Sequence, residues 1–337
     1  MPKLKVAVLY GAKSSEHEVS VVSASNVMEA MDKDKYEIVK VFISKTGEWF
    51  LGGTPEEGAA AFSPWDLPKV CSFVLPIIHG PNAEDGTVQG LLELLNLPYG
   101  GSGVVGCATA MDKIVAKEIF ANAGLKQTPY IAFSSVDVDT EEKMQAMIAR
   151  AEKELRFPVF VKPANMGSSV GITKVSGVDS LAAAIKEASE YDHRLLIEQG
   201  VDCRELETGI MGNEELENAS VGEILTGDEF YSYDDKYVNG VSQTKIPADI
   251  TDAQTKEIQE NAKIAYKALG CCGFARVDFM LGKHSGEIFI NEINAIPGFT
   301  SISMFPKVFM DKGYSYSQII DRIIELGYER YNLKNHR

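Results

Sequence analysis

The stretch 275–304 constrains this chain more than any other, because it reads as a hairpin that carries charge on its strands. Residues 276–281 and 287–294 are largely apolar runs on either side of a polar turn containing Gly282 and Gly286. Side chains alternate between the faces of a strand. Arg276 and Asp278 therefore share a face of the first strand, and Ile288, Ile290, Glu292 and Asn294 share one of the second. An apolar face that turns acidic at its end is not expected to be wholly core-facing there. Asp278, Glu292 and the Asn294 amide oxygen are hard donors of the kind magnesium takes, alongside water and substrate phosphates. The plainer alternative pairs Asp278 with Arg276 or a loop lysine and leaves Glu292 facing solvent. Spacing alone does not choose between them.

At 337 residues the chain is expected to form two or three domains. Its five cysteines (Cys71, Cys107, Cys203, Cys271, Cys272) are scattered with no Cys-x-x-Cys, which points to free thiols and a cytoplasmic setting. No secretory signal or membrane-length apolar run is expected. A formal net charge of -15 argues against a nucleic-acid partner. It does not bar a phosphate ligand, since salt screens surface fields beyond about 8 Å.

Residues 4–10 read as a buried strand, followed by a turn and a helix for which Ser15 and Glu18 supply a capping-box pattern. A strand at 36–43 comes next, and this alternation predicts a parallel sheet. Glu16 lies in the first turn of the helix, where it either meets a charged ligand or merely complements the helix dipole. His79 ends a strand at 73–78, where α/β folds place ligand sites, though a satisfied turn histidine fits equally well. Farther on, a strand, the turn Gly167-Ser168-Ser169 and a second strand occupy 159–172, with Lys162 beside them. Small residues let main-chain N–H groups approach phosphate oxygens. No Walker or Gly-x-Gly-x-x-Gly pattern is present, and a bare hairpin turn reads the same way. Glu198 and Gln199 end the strand at 195–199, polar in a manner suited to adenine and ribose, and Glu205 and Glu207 alternate along the next. Residues 229–240 read as a long loop, a functional one or one whose tyrosines pack on the surface.

Six fragments in order carry a likeness. They are Ser-Ser-Glu-His-Glu-Val-Ser at 14–20, His-Gly at 79–80 with Glu-Asp-Gly-Thr-Val-Gln-Gly at 84–90, and Met-Asp-Lys at 111–113. Then come Val-Lys-Pro with Gly-Ser-Ser-Val-Gly between 161 and 171, Asp-Asp-Lys-Tyr at 234–237, and the hairpin through Pro-Gly-Phe-Thr. The chain resembles the D-alanine–D-alanine ligases, ATP-grasp enzymes of bacterial cell-wall synthesis. The resemblance implies an α/β, three-domain ATP-grasp fold with an N-terminal Rossmann-like parallel-sheet domain, divided at 1–106, 107–198 and 199–337. It implies ATP-dependent joining of two D-alanines through an acyl phosphate, for peptidoglycan precursors, in a cytoplasmic homodimer. Ligases making D-alanine–D-lactate or D-alanine–D-serine, or other carboxylate–amine ligases, are the alternatives.

Residue by residue, the resemblance assigns two Mg2+ (or Mn2+) ions to Asp278, Glu292 and Asn294. It places ATP phosphates on Lys113, Lys162, Lys236, Ser168 and Ser169, and adenine and ribose on Glu198, Gln199 and Glu205. Glu16 would face the ammonium of the first D-alanine, hydrogen-bonded with Ser168 and Tyr237, and His79 would lie near that substrate's carboxylate. Arg276 and the Gly298 N–H would stabilise the tetrahedral oxyanion, and Ser303 with Met304 would bind the second carboxylate. Ala12, Ala83, Gly106-Cys107 and Ala295 depart from the usual choices, and Ala12 narrows the backbone freedom near the first substrate.

Overall fold

A computed structural model describes residues 2–225 and 243–335. Strand β1 (Leu4–Gly11) lies between β2 (Tyr36–Ile43) and β5 (Phe73–Pro76), both parallel to it, and short antiparallel strands β3 (Trp49–Leu51) and β4 (Ala60–Ala61) extend one edge. Val6, Ala7, Val8 and Leu9 are fully buried because both faces of this sheet are covered. Helix α1 (His17–Ala30) packs on one face, and α2 (Leu67–Val70) and α3 (Thr87–Leu94) on the other. The capping box expected at Ser15 does not form. Ser14 Oγ takes the Glu16 N–H at 3.1 Å instead, and the helix begins after Glu16 with no side-chain cap.

Helices α4 (Val104–Met111) and α5 (Lys113–Asn122) lead to a second, antiparallel sheet. Its strands β6 (Tyr130–Ser134), β7 (Val159–Pro163), β8 (Thr173–Val175) and β9 (Arg194–Gln199) run in the order β6-β9-β7-β8. Helices α6 (Glu141–Glu154) and α7 (Leu181–Ser189) close its core against Val159, Val161, Leu195 and Ile197. The first strand and the serine turn expected within 159–172 are β7 and the turn at 167–169, but the second strand begins later than expected, as β8 at Thr173.

The third sheet, also antiparallel, has the order β12-β11-β10-β13-β14. Its strands are β10 (Cys203–Gly212), β11 (Leu216–Leu225), β12 (Gln243–Lys245), β13 (Gly273–Gly282) and β14 (Ile288–Asn294). Helix α8 (Asp252–Ala268), with Cys107 of α4 and Phe120 of α5, buries Ile210, Val277, Phe279 and Ile290 on one face. Helix α9 (Met304–Asp311) shares a different core with Met211 and Ala219. Helix α10 (Tyr316–Asn335) turns back to the first sheet and joins the core of Val6, Val8, Val27 and Phe73 through Ile319, Ile320, Ile323 and Ile324.

One detail of the third sheet shapes the site. Asp278 pairs with Glu292, yet the neighbouring Phe279 pairs with Ile290, so Asn291 is an extra residue in β14. Such a bulge leaves one residue unpaired and interrupts the regular alternation of faces. Ile288, Ile290 and Ile293 all reach the apolar core, while Glu292 and Asn294 stand opposite Asp278 and Arg276. This corrects the expectation that Ile288 and Ile290 share a face with Glu292 and Asn294. The bulge lets one short strand line the core and still present oxygen donors on its other side.

Candidate active site

A cavity of about 220 Å³ opens where the three sheets meet. The first sheet contributes through strand ends. Gly11 and Ala12 are both left-handed, with φ of 92° and 84°, and Ala12 holds this conformation despite its Cβ. A side chain at Gly11 would collide with the Ile43 carbonyl. The turn is fixed by the Ala12 N–H donating to the Ile43 carbonyl at 2.8 Å and by His17 Nδ1, 2.8 Å from the Ala12 carbonyl. It delivers Glu16, buried, at the start of α1. Ser168 Oγ donates to Glu16 Oε1 across the cavity. Gly80 and Gly167 make room for this carboxylate, since a Cβ at either would lie 2.8 and 2.7 Å from Glu16 Oε2.

His79 is buried at the end of the β5 segment, with Nδ1 3.1 Å from the Ile296 carbonyl and Nε2 3.1 Å from Ser23 Oγ. Burial opposes its protonation, but Glu84, Glu16 and the Ile296 carbonyl outweigh burial and raise its pKa above the usual histidine value.

The second sheet brings cations and the serine turn. Ser168 and Ser169 are left-handed, with φ of 49° and 62°. Asp112 caps α5 by accepting the Ile114 and Val115 N–H groups at 3.0 Å, which sets Lys113 at the first position of that helix. Lys113 Nζ donates to the Met166 carbonyl at 2.6 Å, and burial lowers its pKa. Lys162 Nζ lies 2.6 Å from Glu198 Oε2, while Lys117 Nζ, at 2.5 Å, and the Thr128 hydroxyl occupy Glu198 Oε1. Burial disfavours the Glu198 carboxylate, yet Lys117 and Lys162 overcome it and hold the group well below the usual range. Burial likewise works against the Lys162 charge, and Glu198 overcomes it, raising the lysine.

Glu198 and Gln199 stand outside the cavity lining. Glu198 is the anchor for two lysines, and Gln199 Oε1 accepts the Arg156 N–H at 2.9 Å. Lys117 escaped the reading of the sequence. Its signal was a lysine three residues from both Ile114 and Phe120, on the apolar side of α5 where an unpaired charge is not tolerated.

The third sheet contributes side chains from within its strands. Arg276 Nε and Nη2 donate to the two oxygens of Asp278 at 2.7 Å each, a bidentate pair, and Glu207 Oε2 lies 3.0 Å from Nε. Burial would lower the Arg276 pKa, but Asp278 and Glu207 raise it, so the guanidinium stays charged. Glu205 faces Met280 across the strands and Glu207 faces Asp278. Glu207 is thus a second residue missed from the sequence, because its partnership follows only from register. Asn294 Nδ2 donates to Asp278 Oδ2 at 3.0 Å, and Glu292 lies directly opposite Asp278.

Two carboxylates facing each other on adjacent strands repel, and hard oxygen donors so placed suit a divalent cation. Among the described residues no three acidic, histidine or cysteine side chains converge into a metal-holding group. A set of two carboxylates and one amide fits a cation that takes its remaining oxygens from phosphate and water.

Beyond β14 the chain passes Gly298, whose missing Cβ would lie 2.8 Å from Ser303 Oγ. Ser303 Oγ accepts the Thr300 N–H at 2.9 Å and precedes α9, so Met304 opens that helix beside the cavity. A helix start favours an anionic group. Glu16, His79, Lys113, Lys162, Ser168, Ser169, Glu205, Arg276, Asp278, Glu292, Asn294, Gly298, Ser303 and Met304 thus line one space. Lys236 and Tyr237 lie outside the described residues.

Two antiparallel sheets gripping a cavity between a serine turn and a carboxylate-bearing face, beside a parallel-sheet unit, define an α/β ATP-grasp ligase. The model of the D-ala D-ala ligase C-terminus matches residues 119–325, and that of the N-terminus matches 5–67 and 57–102. The D-alanine–D-alanine ligase of Chloroherpeton thalassium is 45% identical, covering 98% of both chains, and that of Thermoanaerobacter sp. is 43% identical over 99% of both. Among solved structures, the D-alanine–D-alanine ligase of Coxiella burnetii superposes with a TM-score of 0.85 at 32% identity, covering 98% of this chain and 97% of its own. The D-Ala:D-Ser ligase of Enterococcus faecalis gives 0.84 at 35% identity, covering 97% and 100%. The chain belongs to the D-alanine–D-alanine ligase family.

Proposed function

We propose that this chain uses ATP to join two molecules of D-alanine into D-alanyl-D-alanine, for peptidoglycan precursors. The carboxylate of the first D-alanine attacks the γ-phosphorus of ATP, giving an acyl phosphate and ADP. The amine of the second attacks the activated carbonyl, and the tetrahedral species expels phosphate. Both steps concentrate negative charge, so positioned donors and cations contribute most of the catalysis.

In this reading Glu16, held by Ser168, receives the first ammonium, and His79 lies toward that substrate's carboxylate. Lys113, Lys162, Ser168 and Ser169 meet the phosphates, joined by Lys236. Glu205 meets the ribose. Glu198 acts through Lys162, whose ammonium it fixes. Arg276 and the Gly298 N–H receive the oxyanion, while Ser303 and the start of α9 receive the second carboxylate. Asp278, Glu292 and Asn294 would hold two magnesium (or manganese) ions, whose contribution is to neutralise charge on the ATP phosphates. The family resemblance supports a homodimer whose units divide at 1–106, 107–198 and 199–337. Among the described residues no helix is long and apolar enough to cross a membrane, and all five cysteines are free, which supports a cytoplasmic setting.

The observation that carries the reading is one cavity lined by a buried carboxylate at Glu16, two lysines, a charged guanidinium and paired carboxylates, drawn from stretches far apart in the chain. The test is phosphate release from ATP with D-alanine alone, and with D-alanine plus D-serine or D-lactate, with products identified by mass. D-alanyl-D-alanine as the main product in every mixture is expected. A mixed dipeptide or ester dominating would overturn the choice of second substrate, and the 35% identity to a D-Ala:D-Ser ligase makes D-serine the alternative to watch. No phosphate release with D-alanine would overturn the reading as a whole.

A further inference from the structure

Helix α1 carries a polar stripe that the reaction above leaves unused. Ser20, Ser23 and Asn26 recur every third residue and so lie along one side of the helix. Ser20 and Ser23 are fully buried. A buried hydroxyl costs free energy unless it is hydrogen-bonded, and these are bonded to the cavity's surroundings. Ser20 Oγ donates to the Ile77 carbonyl at 2.5 Å and accepts the Gly11 N–H at 2.8 Å, tying the ends of β1 and β5 together. Ser23 Oγ lies 3.1 Å from His79 Nε2 and accepts the Phe299 N–H at 3.2 Å. Asn26 Nδ2 donates to the Phe299 carbonyl at 3.2 Å, which also accepts from the Tyr316 hydroxyl at 2.6 Å.

Gly298 is therefore clamped from both flanks. On one side His79 Nδ1 engages the Ile296 carbonyl at 3.1 Å, and on the other Ser23 and Asn26 grip the main chain of Phe299. Gly298 has no side chain of its own with which to hold its place. We propose that Ser23 and Asn26 are positioning residues for the second chemical step: through Phe299 and His79 they set where the Gly298 N–H points, without touching substrate. This rests on the reading of Gly298 as an oxyanion donor. Such a donor must lie within about 2.7–3.1 Å of the oxyanion, and a misplacement of roughly 1 Å costs on the order of 100-fold in rate. A helix of the N-terminal unit thereby governs a main-chain donor more than 270 residues away.

The test compares the full chain with its Ser23→Ala and Asn26→Asp variants. Asn26→Asp keeps the shape, replaces the donor by an acceptor facing a carbonyl, and sits at a half-buried position that tolerates change better than Ser23. Four quantities are measured: kcat, KM for ATP, affinity for ADP, and affinity for a phosphinate mimic of the tetrahedral species. The expected result is a roughly 10- to 100-fold fall in kcat with a parallel loss of mimic affinity, while ATP KM and ADP affinity stay within about 2-fold. A merely structural role would weaken ADP and the mimic together, and that outcome overturns the proposal. So do parental kcat and mimic affinity in the variants. If Ser23→Ala does not fold, Asn26→Asp decides. Failure of the parental chain to release phosphate with D-alanine is seen before any variant is compared, and it overturns the ligase reading itself.

Discussion

Two sheets serve the same cavity by opposite means. The parallel sheet is buried on both faces, so it reaches the site only from beyond its strand ends: the left-handed turn at Gly11 and Ala12, Glu16 after that turn, and His79 past β5. The C-terminal sheet places Glu205, Glu207, Arg276, Asp278, Glu292 and Asn294 on the cavity directly from within its strands. The difference teaches where each half is vulnerable. In the parallel sheet the site depends on backbone conformation at loops. In the antiparallel one it depends on register, because a slip of one residue exchanges the two faces.

Inserting one alanine between Asn291 and Glu292 breaks the comparison most severely. With Asn291 still the bulged residue, the insertion slips the rest of β14 by one position and turns Glu292 and Asn294 toward the core of Ile288 and Ile290, and burying an unpaired carboxylate costs several kcal/mol. The expected outcome is loss of soluble, folded protein, followed by circular dichroism and ATP turnover, with Asn291→Ala as a control that keeps the residue count. Parental activity after the insertion would mean that register does not define the site.

Arg276→Ala comes next. It takes the guanidinium away from Asp278 and Glu207, both largely buried, and breaking such a pair destabilises by about 3–5 kcal/mol. Turnover is expected to fall by about 10²–10³-fold through loss of a charge-stabilising donor. Urea midpoints and kcat check the two effects separately.

The halves also differ in pH response. His79 has a folded pKa above its unfolded value of roughly 6.5. Its contribution to stability is complete below that unfolded value and is lost as pH rises through the folded one. Arg276 stays charged throughout this window. A denaturation midpoint that falls as pH rises from about 6.5 in the parental chain, and falls less in His79→Asn, is expected. Identical slopes in the two proteins would remove His79 from the account.

The smallest effect concerns Ala12. Left-handed backbone costs an alanine roughly 1–2 kcal/mol, whereas glycine gives back about 0.5–1 kcal/mol through its freer unfolded chain. Ala12→Gly should therefore stabilise by about 0.5–1 kcal/mol, read as a higher urea midpoint with kcat little changed.

Much of this was legible in the sequence. Alternating strand and helix patterns gave the parallel sheet, the glycines and serines at 167–171 gave the turn beside Lys162, and the charge on 276–294 marked the hairpin. The features that escaped were non-local. Ile-Asn-Glu-Ile-Asn at 290–294 sets two polar residues between its isoleucines, a break in alternation that a polar strand end gives as readily as a bulge, and only the pairing with β13 decides. Glu207 acquires its role only from lying opposite Asp278. Glu198 looked like a strand-end polar residue until Lys117 and Lys162 were seen on both its oxygens. The Ser15 cap is absent because the helix starts later, with Glu16 at its N-cap, and the Glu18 carboxylate pairs with Lys45 at 2.6 Å instead of turning back. Ser20 and Ser23 interrupt the apolar pattern of α1 for a reason visible only once their partners at 11, 77, 79 and 299 are in view.

The seating of α10 on the first sheet has a consequence for biosynthesis. Val6 and Val8 leave the ribosome more than three hundred residues before Ile319 to Ile324, which share their core. The side of the earliest sheet that α1 covers only in part must then wait, still partly oily, for nearly the whole of translation, a state prone to aggregation. Nascent chains halted near residue 312 should be far more sensitive to protease and more chaperone-bound than chains extended past 335. Equal protection at both lengths would show that the early sheet finds another cover.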